Sequence, residues 1–236
     1  MSNWPSEVFS QTVTTVKDGV TYTLKKATML EKDFVLSCWD ESKPITNRIN
    51  QMTESQYYDR IIQKTLWLPA PGKIPLPFEG YYPRILRADG IPVGYQHSRW
   101  RRREDEGDGN LLIDKGFTHI HPDHRKKGYY KMLLALATYE SFVVYGAPKA
   151  DLAILDSSVA AKKVQTAINA TYKSSEQTKE LGEIHRLEFS ESNWTPYRES
   201  EGLTCSVSSE NIAITDSRWA TPAVTLDIGT RKWNDI

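Results

Sequence analysis

The residues with chemistry of their own crowd into one stretch, Phe117–Leu134, which reads FTHIHPDHRKKGYYKMLL. Ile120-His121-Pro122 has the pattern of a strand end, since proline cannot continue a ladder. Arg125, Lys126, Lys127 and Gly128 follow, and then an apolar stripe at helical spacing. The first backbone N–H groups of a helix have no partner inside it, and the helix dipole adds positive potential there. An anion such as a diphosphate suits that place. Gly128 lets a ligand approach the backbone, and the three cations add charge. The plain alternative is a basic, solvated helix start. The same stretch also reads as a metal string, His119-x-His121-x-Asp123-His124. Imidazole and carboxylate ligands suit zinc, and His119 and His121 share one strand face.

Both readings resemble known families. The phosphate reading resembles motif A of the GCN5-related N-acetyltransferases, Arg/Gln-x-x-Gly-x-Gly/Ala after a strand ending in Val/Ile-x-Pro. Ile120-His121-Pro122, Arg125 and Gly128 match, whereas Tyr130 stands where the pattern has a small residue. A tyrosine there either turns its ring away or closes the site. The resemblance spans residues 20–189 and implies an α/β fold with a mixed, partly antiparallel central sheet flanked by helices. It implies transfer of an acetyl group from acetyl-CoA, as co-substrate, to a small-molecule or protein amine by direct attack, with no metal. Carrier contacts then fall on Phe117, Thr118 and Ile120 for the pantetheine arm, and on Arg125, Lys126, Lys127, Gly128, Tyr129 and Tyr130 for the diphosphate. Asp114 is the first candidate base and His119 the second, while Tyr172 is the candidate proton donor to the departing thiolate. The metal string resembles that of the metallo-β-lactamase fold and makes a zinc hydrolase the remote alternative. The downstream ligands that fold needs are missing, because His185 is the one histidine after His124.

The elements that position these residues are read from period and punctuation. Val20–Leu24 alternates as a strand, and Phe34, Val35, Cys38 and Trp39 recur at helix spacing. A second helix is expected over 54–66, and the proline-rich 68–77 is a loop. Tyr82–Ala88 and Ile91–Trp100, joined by Asp89-Gly90, form a hairpin. Arg101–Asn110 is a charged turn. The cluster Arg99-Trp100-Arg101-Arg102-Arg103 could hold a nucleic-acid phosphate or an adenosine 3′-phosphate. Glu104, Asp105, Glu106 and Asp108 follow at once, so a self-neutralised hairpin tip is the favoured reading, and Leu111–Ile120 is the next strand. A helix over Tyr130–Tyr145, a central strand over Ala150–Leu155, a helix from Ser157 or Ser158 through Tyr172 and a strand at Leu187–Phe189 complete the order. Residues 1–19 lack periodicity and are expected as an N-terminal arm. Residues 190–236, rich in Ser and Thr with short β-type runs at Ile212–Thr215 and Ala223–Ile228, are expected as a C-terminal extension without a large core of its own.

The bulk properties agree. In 236 residues, Lys+Arg and Asp+Glu are both 30, so no basic excess marks a duplex nucleic-acid binder. Hydrophobic residues make up 39%, and no window approaches the ~18 consecutive apolar residues of a membrane span. The opening MSNWPSEVFSQ does not read as a signal peptide, and Cys38 and Cys205 set no disulfide framework. A cytoplasmic place is expected. The alternative is a non-catalytic module of the same fold in an assembly such as a virion, of the kind bacteriophages encode, with a protein partner on the 190–236 tail; a homo-oligomer stays open.

Overall fold

The computed structural model describes residues 7–38, 56, 80–102, 111–178 and 182–213. The expected helix 54–66, the loop 68–77, most of the charged turn and the run Ala223–Ile228 lie outside the described residues. Strands β1 (Glu7–Lys17), β2 (Val20–Lys26), β3 (Gly80–Ala88), β4 (Ile91–Arg102) and β5 (Leu111–Ile120) form one half of a single sheet. Strands β6 (Lys149–Leu155), β7 (Thr171–Thr178), β8 (Gly182–Ser190) and β9 (Cys205–Ala213) complete it. The order is β7-β8-β6-β5-β4-β3-β2-β1-β9. Every pairing is antiparallel except β5 with β6. Helix α1 (Lys32–Cys38) follows β2, α2 (Tyr129–Tyr139) follows β5, α3 (Val159–Ala167) follows β6 and α4 (Glu191–Ser200) follows β8. This is the mixed α/β architecture expected from the sequence, with a sheet that is mostly and not just partly antiparallel. No helix among the described residues is long and apolar enough to cross a membrane.

Two expectations about elements are corrected, and a third gains detail. Residues 7–17 do not lie as an arm, because they form β1, inserted between β2 and β9. Its inward positions Gln11, Val13 and Thr15 are all buried, and two of the three are polar, so hydropathy alternation does not show it. Ser158 caps α3 through Ala161 N–H, but the helix ends at Ala167, where Asn169 takes a left-handed φ of 49°. Asparagine tolerates that conformation and commonly closes helices. Tyr172 therefore sits in β7 rather than on a helix. The start of the extension joins the main body: Ser190 and Asn193 form a capping box, Trp194 of α4 is 1% exposed, and β9 zips along β1.

Helix α2 lies across one face of the sheet and joins two apolar clusters. One gathers Leu134, Phe142, Leu152, Ile154 and Trp194, and the other gathers Val13, Leu24, Leu86, Leu133 and Leu136. Gly94 of β4 permits the contact, because a Cβ there would stand 2.7 Å from Ile120 Cδ1 and 3.0 Å from Leu133 Cδ1. Beyond Tyr139 the helix widens, and Tyr145 N–H reaches back to the Glu140 carbonyl at 3.1 Å. The wide turn brings Glu140 over the sheet, where the buried Arg84 Nε–H donates to its Oε2 at 2.9 Å and Nη2 meets Oε1. Lys26, Arg84, Gln96 and Thr118 are successive register partners across β2, β3, β4 and β5, so they form one polar row on that face. Burial, reinforced by Arg84 and opposed by Glu140, pushes the Lys26 ammonium well below its ordinary range. Burial likewise raises the Glu140 carboxyl well above its ordinary range, opposed by Lys26, while the two-point contact with Arg84 favours its charged form.

Removing one partner of a buried ion pair leaves an uncompensated charge. Glu140→Gln is therefore expected to lower stability by about 3–5 kcal/mol in urea unfolding. A loss under ~1 kcal/mol would mean that the pair is solvated.

Candidate functional site

The site is set by where β5 stops following its parallel neighbour. Pairing of β5 with β6 runs from Leu112–Lys149 to Lys115–Leu152 and ends there, although β5 continues to Ile120. Strand β6 stays paired with β8 as far as Leu155–Ile184. On its other side β5 carries an irregularity. Gln96 and Ser98 of β4 face Thr118 and Lys115, so one extra residue falls within Gly116-Phe117. Such a bulge bends a strand and increases its twist. Beyond it β5 parts from β6, and a wedge opens along residues 116–120.

The strand leads straight into the basic turn. His121 N–H donates to the Val93 carbonyl at 3.0 Å, and Pro122–His124 make a single 3-10 turn. Arg125 folds back, its Nε–H donating to the Ile120 carbonyl at 3.1 Å, and Lys127 Nζ donates to the Asp123 carbonyl at 3.2 Å. Lys126 and Gly128 have left-handed φ values of 63° and 80° on either side of Lys127. Turns of this kind aim successive N–H groups toward one side. Gly128 is the N-cap of α2 and supplies no side chain, so the Tyr129 and Tyr130 amides open the helix without a side-chain cap. A Cβ on Gly128 would meet nothing within 4 Å, so the glycine serves its left-handed φ and not a close contact, and the space before the helix is open. The residues present fit a diphosphate: unsatisfied amides, open space and the exposed cations Arg125, Lys126 and Lys127.

Each expected residue has a definite place. Tyr130 packs against the cluster of Leu134 and Trp194, where burial pushes its hydroxyl up to about 12. Its ring thus goes to the core and away from the turn, which resolves the alternative left open by its size. Tyr129 packs the other way, edge-on to Tyr22 at 6.1 Å. Thr118 Oγ1 accepts from Gln96 Nε2 at 3.3 Å. His119 lies in the parted segment opposite Tyr95, where burial, with Arg125 adding to it, lowers the imidazole from 6.5 to about 4. It is therefore neutral at pH 7. Asp114 registers with Arg99 and Asp151 in the closed part of the β5–β6 pair. Its partner Arg99 is four positions along β4 from His119's partner Tyr95, about 13 Å at strand rise. Tyr172 is not brought to the wedge. It is 54% exposed on the outer strand β7, edge-on to His185, with β8 and β6 between it and β5.

The metal string does not converge. His121 stacks on Phe34 at 5.8 Å, Asp123 points to solvent and His119 is turned inward. Among the described residues, the ligand atoms that gather within 4.8 Å belong to Asp156, Glu183 and His185, and there Lys162 Nζ already stands 2.5 Å from Asp156 Oδ1.

No reading of the sequence singled out a cleft of about 220 Å³ beside Gly128, walled by Lys17, Lys127, Lys131, Tyr197 and Glu201. Its walls come from β1, α2 and the end of α4, and no local pattern links such distant positions.

No family model matches the chain, and no curated protein matches it. Solved structures do. Mycobacterium smegmatis RimJ, in complex with CoA-disulfide, aligns over 81% of this chain and 94% of its own at 7% identity, with a TM-score of 0.56. A GCN5-related N-acetyltransferase from Brucella melitensis aligns over 80% and 83% at 12% identity, with a TM-score of 0.52. The aminoglycoside acetyltransferase AAC(6')-Ib, in complex with coenzyme A, aligns over 75% and 99% at 13% identity, also with a TM-score of 0.52. The chain therefore has the fold of the GCN5-related N-acetyltransferases.

The depressed imidazole has a measurable sign. As pH falls below 6.5 the unfolded chain takes up a proton at His119 before the folded chain does, so stability drops until about pH 4. In urea unfolding at both pH values, the wild type should lose up to about 3 kcal/mol more than His119→Gln. Equal losses would mean that the imidazole is solvated.

Proposed function

We propose that the chain is an N-acyltransferase that moves an acetyl group from acetyl-CoA to an amine by direct attack. The observation that carries the reading is a coincidence at one end of β5, where the β5–β6 ladder stops at Lys115–Leu152 and the strand runs into an uncapped helix start at Gly128. A long ligand with a diphosphate at one end and amides along its arm matches that arrangement. The amides at the start of α2 would hold the diphosphate, with Lys126 and Lys127 supplying charge and Arg125 bracing the turn from below. The backbone of 116–120, Phe117, Thr118 and Ile120 included, would guide the arm into the wedge. When bound, the carrier supplies an acetyl thioester, whose carbonyl carbon is open to a nucleophile.

The acceptor side is the face opposite α2. Tyr95 and His119 occupy that face, next to α1, whose Phe34 stacks on His121. Attack by a neutral amine nitrogen forms the C–N bond and breaks the C–S bond. The carrier leaves as its thiolate, and the one proton the amine sheds balances the one the thiolate takes up from water. His119 lies nearest the wedge, and its neutral ring accepts a hydrogen bond from the incoming amine. With an imidazole at about 4 it orients the amine and hands the proton on to water rather than storing it. Asp114, in the closed part of the pair, is displaced from that point by the strand distance given above. In this reading residues 20–189 carry the transfer chemistry, while β1 and the start of the 190–236 extension brace it from outside.

The distance of Tyr172 from the wedge favours one second reading, a module that holds the carrier without turning it over. Calorimetric titration with acetyl-CoA, followed by thiol-release assays across primary amines, separates the two. Carrier binding with amine-dependent thiol release is expected, and binding without release selects the second reading. Gly128→Asp should weaken carrier binding by about 100-fold, because it sets a carboxylate against the diphosphate. The variant should still fold, since aspartate tolerates a left-handed φ and caps helices. Unchanged affinity in the folded variant would sink the cradle.

A further inference from the structure

The cleft beside Gly128 is built from the β1–β2 turn, the start of α2 and the end of α4 with the residues after it. Lys17, at the end of β1, donates to Glu201 Oε2 at 2.6 Å and to the Glu201 carbonyl at 3.2 Å. Lys131, in the first turn of α2, meets the other oxygen of the same carboxylate. Its ammonium also stands 5.9 Å from the centre of the Tyr197 ring. Tyr197 is 6% exposed, and its hydroxyl has no hydrogen-bond partner among the described residues. Lys127 and Asp18 complete the charged lining, so the cleft holds three ammonium groups against two carboxylates. Burial alone would raise Glu201, but its bonds to Lys131 and Lys17 bring it below the ordinary carboxylate range, so it is ionised. Two ammonium groups already converge on a single anionic group, an idle buried donor lines the same space, and the uncapped helix start adjoins it.

We propose that this cleft seats a phosphate monoester, the 3′-phosphate of the acyl carrier, bound by Lys17 and Lys131 with Tyr197 as hydroxyl donor. The inference rests on the carrier reading of the preceding subsection and adds a specificity determinant to it. Glu201 holds the two ammonium groups in position while the cleft is empty, and the arriving dianion takes its place between them. Lys17 and Glu201 lie outside residues 20–189, so discrimination of the carrier is contributed by the segments that flank the transfer domain.

The test compares CoA with dephospho-CoA, which lacks only the 3′-phosphate, by calorimetric titration of the wild-type protein. CoA is expected to bind at least ~10-fold more tightly, as for one charge-assisted contact. Lys131→Met and Lys17→Met should each bring CoA toward the affinity of dephospho-CoA and leave dephospho-CoA unchanged. Glu201→Gln should tighten CoA alone. Equal binding of the two ligands by the wild type overturns this inference and leaves the carrier reading standing. Equal weakening of both by Lys131→Met also overturns it, because the lysine would then serve the diphosphate. Binding of neither ligand overturns the carrier reading and this inference together.

Discussion

The buried pair of Arg84 and Glu140 fixes the position of α2, and the candidate site depends on that position. A helix resting on a sheet through apolar side chains alone can slide, because such contacts are not directional. A guanidinium bonded through Nε and Nη2 to one carboxylate admits little sliding. The wide turn at Glu140–Val144 is the local distortion that lets the carboxylate reach the sheet. With its far end pinned there, the near end of α2 is held over the tip of β5. Gly94, by letting Leu133 and Ile120 close down on β4, sets the height. The turn from His121 to Gly128 then spans two fixed points, and its two left-handed residues close a short path between them.

The wedge has a separate origin in the ladders on either side of β5. Strand β4 follows β5 to its tip but must absorb an extra residue at Gly116-Phe117, while β6 keeps its register with β8 and does not follow. A strand held by an antiparallel neighbour on one side and released by a parallel one on the other exposes its polar edge only where the two disagree. That edge lies next to the amide-lined turn, so a ligand with both a polar arm and an anionic group meets a contiguous track.

Much of this was legible in the sequence where period and punctuation were local. Strands β2 to β6 show their alternation or apolar runs, Asp89-Gly90 marks its hairpin, and Pro122 and Gly128 bracket the turn. Strand β1 was hidden because Gln11 and Thr15 occupy buried positions, and β7 because TYKSSEQT is exposed and has no apolar face. The helix after β6 was read too long because nothing in its pattern announces that Asn169 turns left-handed. In the site, the cations and Gly128 were visible as a string. The orientation of Tyr130 was not, since it depends on a cluster to which Leu152 and Trp194 come from other elements. The parting of β5 from β6 and the cleft with Lys17 and Glu201 are products of register and long-range closure, which leave no trace in a window of neighbouring residues.

The pairing of β1 with β9, from Glu7–Ala213 to Thr15–Cys205, has a consequence for the order of assembly. Strand β1 is synthesised well before β9, so it can close its hairpin with β2 early, but its other edge must wait until residues 205–213 have been made. During that interval β1 is an unprotected sheet edge, open to pairing with a foreign strand. The Ser10, Gln11 and Thr15 side chains, awkward as interior residues, keep that waiting edge polar. The cost they impose on the finished core is thus offset earlier, in the half-made protein, as resistance to aggregation.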